Sequence, residues 1–175
     1  GSFAAAEKEG EECALPLTFR EMAEQLVPYV KDMGYTHVEF MPVMEHTGND
    51  PWGYETSAYY APASRCGTPA DFRYLMDKLH QEGIGVILDW VPGWFPKQNE
   101  GLADFDGTCL YEHLDEKKKN HPFRNVRLYN YGRNEVKNYL IANAMFWVEK
   151  YHADGIRMVS VDSMLYLDYG KGEGQ

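Results

Sequence analysis

Four titratable residues follow stretches of the chain that look like buried strands. Glu45 and His46 come shortly after the first apolar run, Asp89 ends the second, and Asp162 lies just beyond the third. Two carboxyl groups at one site, acting as nucleophile and acid/base, are what a retaining glycosyl transfer needs. Carboxylates at strand ends are also common as solvated or ion-paired acids, so position alone leaves both interpretations open.

Large aromatic side chains crowd the same parts of the chain. Flat rings suit the faces of sugars, but most buried aromatic residues simply form core. The spacing of these aromatic residues does not decide between a sugar-binding surface and core packing against the sheet. The residues concerned are Trp52, Tyr54, Tyr59, Tyr60, Trp90, Trp94 and Phe95.

Apolar residues at helical spacing predict three helices ahead of three strands. The first helix begins with a capping box at Thr18 and ends at Gly34, and Pro28 inside it predicts a kink or local break. The second is predicted to begin at Thr68, and the third to be capped by Asn134. The order helix, strand, helix, strand, helix, strand is typical of an α/β fold with a parallel sheet.

The three strands are predicted over residues 37–41, 84–89 and 156–159. The second has an almost continuous apolar run, as expected of a strand buried on both faces of a parallel sheet. The long segments 42–67 and 90–133 then follow the carboxyl ends of strands, where α/β proteins place their ligands. The second segment exceeds ordinary loop length and is interpreted as a functional excursion.

Composition narrows the classes of partner. The net charge of −10 over 175 residues disfavours nucleic acid and anionic lipid, so a neutral ligand is easier to accommodate. Cys13, Cys66 and Cys109 form no C-x-x-C pair, the histidines have no metal-ligand spacing, and no glycine-rich phosphate loop follows a strand. We therefore predict a cytoplasmic protein without a metal site or cofactor and without a membrane span.

An ordered series of motifs covers about nine tenths of the chain. The series resembles the bacterial glycogen branching enzymes (1,4-α-glucan branching enzymes) of the α-amylase superfamily, glycoside hydrolase family 13. Its members are Phe19–Tyr29, Trp52–Tyr54, Asp71–Leu75, Gly83–Gly93, Phe105–Thr108, Leu110–His113, Asn130–Val136 and Ser163–Tyr169.

This resemblance implies a partial (β/α)8 TIM barrel, covering about the second to fourth strands with their helices and a long loop after the third strand. Residues 18–175 are then a partial α-amylase-type catalytic barrel, and residues 1–17 an acidic tail or loop. The implied reaction is glycosyl transfer from an α-1,4-glucan, such as glycogen or amylose, to make α-1,6 branches.

The resemblance also assigns roles by position. Tyr54 matches the ring that stacks under the reacting sugar, Asp89 a strand-end acid, and Arg157 the arginine beside the nucleophile. Two positions depart from the family, because Val159 stands where the nucleophile belongs and Trp94 where a substrate-binding histidine belongs. Both departures fall on residues that would carry the chemistry.

A valine at the nucleophile position cannot form a covalent intermediate. Asp162 is a weak substitute, since it has the opposite strand parity and lies roughly 10 Å further along an extended chain. The family's acid/base glutamate and its His-Asp pair would come from strands after Gln175. Trp52 joins Tyr54, Asp89, Trp94 and Arg157 as a predicted substrate-binding residue, and no catalytic residue is predicted to be intact.

Three functional interpretations follow. The chain is a fragment or divergent homologue of a branching enzyme, inactive in isolation, or a non-catalytic α-glucan-binding or scaffold module, or a half-barrel without a ligand. An incomplete barrel exposes sheet edges, which predicts self-association. The strand register further predicts that Asp89 and Arg157 lie within ion-pair distance on neighbouring strands.

Overall fold

A computed structural model describes residues 17–46, 52–97 and 101–166, so all of the predicted acidic tail except Leu17 lies outside the described residues. The strands are β1 (His37–Phe40), β2 (Met44–His46), β3 (Thr56–Pro62), β4 (Gly85–Trp90), β5 (Trp94–Pro96), β6 (Val126–Leu128) and β7 (Gly155–Met158). The helices are α1 (Phe19–Asp32), α2 (Pro69–Gln81), α3 (Glu116–Lys119), α4 (Asn134–Tyr151) and α5 (Asp162–Leu165), with a short 3-10 helix at Ser64–Cys66.

A three-stranded parallel sheet in the order β1-β4-β7 is the centre of the fold. These are the three strands predicted from the sequence, with bounds that differ by about one residue. The register pairs Phe40 with Leu88 and Leu88 with Ile156, so these three side chains lie on one face of the sheet. Glu39, Asp89 and Arg157 have the opposite parity and lie on the other face.

Helices cover the first of these faces and form the core. Val86 and Leu88 are fully buried, and they belong to one cluster with Phe72 and Leu79 of α2 and Trp147 of α4. Burying each such large side chain contributes about 1.5 to 3 kcal/mol. The opposite face carries the exposed side chains of Glu39 and Arg157, which leaves that face available to a ligand.

The predicted helix starts are confirmed in two of three cases. Thr18 and Thr68 each cap a helix through a capping box, with Glu21 and Asp71 as the returning side chains. The prediction that Asn134 caps the third helix is wrong, because Asn134 is already the first helical residue of α4. The N-cap is the preceding Arg133, whose side chain makes no capping hydrogen bond.

Of the kink or local break predicted at Pro28, the break is wrong, since α1 runs unbroken through this residue. A proline lacks only one backbone donor, and the helix retains its buried residues Phe19, Ala23 and Val30 on the core side. Packing of this stripe outweighs the missing hydrogen bond. The helix ends as predicted, with Gly34 in the left-handed region at φ 71°.

Two small antiparallel ribbons lie in the long segments that follow the strands. β2 pairs with β3 after the first parallel strand, and β5 pairs with β6 after the second. Phe95 and Tyr129, in and beside the second ribbon, belong to the same core cluster as Val86 and Leu88 of β4. No helix among the described residues is long and apolar enough to span a bilayer.

Candidate functional site

A hydrogen-bonded group of four side chains lies at the carboxyl ends of the parallel strands. Arg157 of β7 places Nη1 2.8 Å from Oδ2 of Asp89 on β4 and 3.3 Å from Oε1 of Glu39 on β1. The hydroxyl of Tyr54 donates to the same Asp89 oxygen over 2.7 Å. We call Glu39, Tyr54, Asp89 and Arg157 the strand-end network.

Burial in the strand-end network is uneven. Asp89 is 1% exposed, whereas the Arg157 side chain is 54% exposed, so the guanidinium covers the carboxylate and faces solvent itself. Within residues 17–46, 52–97 and 101–166, Oδ1 of Asp89 has no hydrogen-bond partner. A buried acceptor without a partner is costly and uncommon, so this oxygen is a candidate acceptor for a water molecule or a ligand hydroxyl.

Charge and burial act together on the titratable groups. Asp89 and then Glu39 raise the pKa of Arg157 above its ordinary value, so the guanidinium stays charged. Burial, followed by the hydrogen bond to Asp89, raises the pKa of Tyr54. Tyr54 is therefore a hydroxyl donor at neutral pH, and the network offers both donors and acceptors.

An apolar cluster adjoins the strand-end network. Val91, Trp94 and Val126 are buried together, and Tyr54, Leu128 and Val159 pack against them. Val159 follows β7, where its N–H donates to the carbonyl of Trp90 over 2.9 Å. Val159 and Trp94, the two positions predicted from the resemblance to depart from the family, thus belong to one apolar cluster.

Trp94 is held in this cluster from several sides. It is 5% exposed, and its Nε1–H donates to the carbonyl of Tyr54 over 3.3 Å. The hydroxyl of Tyr59 lies 2.7 Å from the Trp94 carbonyl and 3.1 Å from that of Val91, which anchors the turn after β4. As a predicted substrate-binding residue, Trp94 therefore presents little of its ring to solvent in this state.

Asp162 and Trp52 lie outside the strand-end network. Asp162 begins α5, and its Oδ1 accepts the N–H of Ser163 over 2.9 Å. Among the described residues it is not a hydrogen-bond or ion-pair partner of Asp89 or Arg157. The side chain of Trp52 is 57% exposed beside the β2-β3 ribbon.

The remaining acid at the first strand end serves the fold. Oε2 of Glu45 accepts the N–H of Ser64 over 2.7 Å. Burial raises the pKa of Glu45, but the hydrogen bonds from Ser64 and the charge of Arg65 outweigh it, and the pKa is lowered. His46 likewise contacts the carbonyl of Met44 over 3.0 Å, so this pair stabilises the ribbon.

Sequence reasoning missed Glu39, which completes the strand-end network. The available signal was its parity, since Glu39 is a charged residue on the same face as Asp89 and Arg157. It also missed the group formed by Asp104, Cys109 and Glu112, whose possible ligand atoms lie within 4.8 Å of one another. Both carboxylate oxygens of Glu112 accept backbone N–H groups, from Asp104 and Tyr111 over 3.2 Å each, which explains its burial as loop support.

Comparison with known proteins places this geometry in a family. A model of the family "Alpha amylase, catalytic domain" matches residues 21–104. The 1,4-alpha-glucan branching enzyme GlgB of Thermosynechococcus vestitus is 59% identical over 159 residues, which are 91% of this chain and 21% of that enzyme. GlgB of Thermobifida fusca is 57% identical over the same shares of the two chains. The chain thus spans about a fifth of the length of these relatives.

Solved structures agree on the fold. A Salmonella typhimurium protein assigned as an α-amylase superposes with a TM-score of 0.74 and 31% identity, over 84% of this chain and 24% of that one. The α-amylase of Geobacillus thermoleovorans, solved with acarbose, superposes with a TM-score of 0.67 at 21% identity, over 82% and 34% of the two chains.

Residues 21–104 of the chain thus match the catalytic domain of the α-amylase superfamily. The described residues form a partial (β/α)8 barrel of three parallel strands, and they contain no closed barrel. Within that superfamily the chain is homologous to a segment of the GlgB 1,4-α-glucan branching enzymes, so the predicted resemblance and fold are both confirmed.

Proposed function

We propose that this chain binds α-1,4-glucan at the strand-end network and does not transfer it. The observation that carries the proposal is the contrast between two neighbouring groups. Tyr54, Asp89 and Arg157 form one hydrogen-bonded arrangement, whereas Val159 packs into the apolar cluster with Trp94. The polar groups that would hold a sugar are retained, and the carboxylate that would attack it is replaced by a valine.

The chemistry of the strand-end network suits a neutral polyol. The orphan Oδ1 of Asp89 accepts a hydroxyl hydrogen, and the half-exposed guanidinium of Arg157 donates to a hydroxyl oxygen. The names of the homologous enzymes specify α-glucan as their substrate. Because a valine has no lone pair to offer an anomeric carbon, the glycosyl-enzyme intermediate does not form at Val159.

The proposal is tested by binding and turnover measured on the same preparation. Amylose in a native gel should retard the chain, while the iodine stain of amylose incubated with it should stay unchanged. Tyr54→Phe removes one hydroxyl from the strand-end network and should weaken retention by about two- to tenfold. Tyr60→Phe is the matched control, because the Tyr60 hydroxyl donates to the carbonyl of Tyr139 over 3.0 Å, outside the network.

Two outcomes count against the proposal. A falling iodine absorbance, reversed by an inactivating change in the strand-end network, would show that the chain cleaves or transfers glucan as it stands. Migration unaffected by amylose, in a preparation with a cooperative unfolding transition, would show that the folded chain does not hold glucan. The second outcome would favour the half-barrel without a ligand.

A second candidate function is branching within a longer chain. Tyr54, Asp89 and Arg157 remain at the positions expected from the resemblance, so the supporting part of a branching site persists. A chain extended to the full length of the relatives, with Val159→Asp, should then gain branching activity that the same extended chain with Val159 lacks. Equal inactivity of both extended proteins would exclude this candidate.

We also propose self-association and a cytoplasmic location. Within the described residues, β1 and β7 each pair with β4 alone in the parallel sheet, which leaves an outer edge on each. Cys66 and Cys109 are free, as expected in a reducing compartment. Sedimentation velocity over a range of concentrations tests the first point, and a species larger than the monomer is expected.

A further inference from the structure

A second aromatic surface lies beside the strand-end network, at Trp94. One face of its indole is covered by Arg124, whose Cζ lies 4.8 Å from the ring centroid. Arg124 itself is exposed, whereas Trp94 is 5% exposed. The guanidinium is therefore a layer between the indole and solvent, while Val91 and Val126 belong to the buried cluster around the indole.

Two further rings extend this surface. The ring of His121 meets Trp94 edge-on, with centroids 5.6 Å apart and planes at 88°. Phe123 is 75% exposed, and its N–H donates to Nδ1 of His121 over 3.1 Å. Because Nδ1 is the acceptor, the hydrogen of the neutral imidazole is on Nε2, where it is a donor. We call Trp94, His121, Phe123 and Arg124 the aromatic subsite.

The cover over Trp94 is easily moved. Residues 121–125 have no helix or strand, and β6 begins only at Val126, so Arg124 is able to swing away without breaking a strand pair. A cation–π contact at an exposed position contributes about 0.5 to 1 kcal/mol. A ligand ring that stacks on this face of the indole has to displace this contact.

We propose that the aromatic subsite binds a sugar ring of an α-glucan, which stacks on Trp94 in place of the Arg124 guanidinium. The proposal rests on the glucan-binding function proposed above. It extends that function from Trp94, already predicted to bind substrate, to His121, Phe123 and Arg124. In the free protein Arg124 is a cap that competes with the ligand.

The surroundings of the aromatic subsite favour a neutral ligand over an anion. The chain has a net charge of −10, and Asp162 is close enough to His121 to influence its titration. Burial, with the charge of Arg124 acting in the same direction, lowers the pKa of His121 against the opposing effect of Asp162. At neutral pH the imidazole is uncharged, which favours a neutral ligand over an anion.

Indole resonances give a direct test with maltoheptaose as the probe. The chain has four tryptophans, so its ¹⁵N-labelled form gives few indole N–H signals, and Trp94→Phe assigns the one from Trp94. Titration should shift that signal. Arg124→Gln removes the cap and should tighten binding about two- to fivefold, the equivalent of the lost cation–π contact.

Arg73→Gln is the matched control, because Arg73 lies 5.9 Å from the ring of Tyr151, in the helical layer. Its affinity for maltoheptaose should equal that of the unaltered chain. Binding that leaves the Trp94 signal in place, with equal affinity for Arg124→Gln, overturns the aromatic subsite and leaves the glucan-binding function standing. If maltoheptaose binds neither the folded chain nor the Arg124→Gln and Arg73→Gln variants, both the aromatic subsite and the glucan-binding function are overturned.

Discussion

Asp89 and Arg157 are paired residues on neighbouring parallel strands, and Nη1 of the arginine lies 2.8 Å from Oδ2 of the aspartate. The ion pair predicted from strand parity is thereby confirmed. It joins β4 to β7 at the carboxyl edge of the sheet, and Glu39 extends it to β1. One arginine therefore connects all three parallel strands, and its loss should be felt in the stability of the whole sheet.

Arg157→Met should lower the free energy of unfolding, because it leaves a buried carboxylate with Tyr54 as its remaining side-chain donor. Urea denaturation followed by far-UV circular dichroism measures the change. Glu39→Gln is the control, since this partner is exposed and its loss should cost less than about 1 kcal/mol. Equal losses of stability for Arg157→Met and Glu39→Gln would contradict this argument, which depends on Asp89 being buried and Glu39 exposed.

Asp71 predicts a specific acid dependence of stability. Hydrogen bonds from Thr68, with a further one from Arg20, lower the pKa of Asp71 to about 2. The unfolded value is about 3.9. Because the folded pKa is the lower one, the stabilisation is present above about pH 4 and is lost as the pH falls towards 2.

Asp71→Asn should therefore flatten the fall in thermal stability between about pH 4 and 2, compared with the unaltered chain. Melting temperatures recorded across this range give the comparison. Asp77→Asn provides a matched change on the same helix, at a residue that accepts a hydrogen bond from Gln81 instead of capping the helix. Parallel curves for the Asp71 variant and the unaltered chain would contradict the prediction.

Gly93 brings the turn after β4 against the turn after β7. A Cβ at this position would lie 2.8 Å from the carbonyl oxygen of Ser160 and 2.8 Å from Oγ of Ser163. Gly93→Ala should destabilise the fold by about 1 to 3 kcal/mol, because the backbone oxygen has little freedom to retreat. In a Ser163→Ala background most of the cost should persist, since the backbone contact remains; full recovery there would assign the clash to the hydroxyl alone.

The elements were predictable because their signals are local. The capping boxes at Thr18 and Thr68 and the apolar run through Val86 and Leu88 each lie within a few residues, and the fold confirms them. The helix through Pro28 was not predictable in this way, because tertiary packing of the α1 stripe decides it. Local signals thus gave the layers of the fold, and packing decided the exceptions.

The candidate site was predictable only in part, for the same reason. Asp89 and Arg157 were found from parity and strand order, which together fix the pairing across β4 and β7. The cover of Arg124 over Trp94 joins residues 30 positions apart, and Arg124 lies within residues 121–125, which have no helix or strand. No periodic sequence pattern therefore predicts this contact. Contacts made by irregular loops depend on the folded chain as a whole.

The last prediction concerns the two departures from the branching-enzyme pattern, which share one apolar cluster. Val159→Asp alone places a carboxyl group against Trp94 and Val91, so it should destabilise the chain by about 2 to 3 kcal/mol. Burial should also raise the pKa of the introduced carboxyl. With Trp94→His in addition, the carboxyl gains a polar neighbour and the cost should fall.

A double-mutant cycle of Val159→Asp and Trp94→His measures this coupling through unfolding free energies at pH 7. We expect the two changes together to cost at least about 1 kcal/mol less than the sum of the single changes. Val126→Ala, at another cluster residue, replaces Trp94→His in a control cycle, because it makes room without supplying a polar group. Additive effects in the first cycle would mean that positions 94 and 159 are energetically independent. Replacing Trp94 by histidine would then not reduce the cost of a carboxylate at position 159.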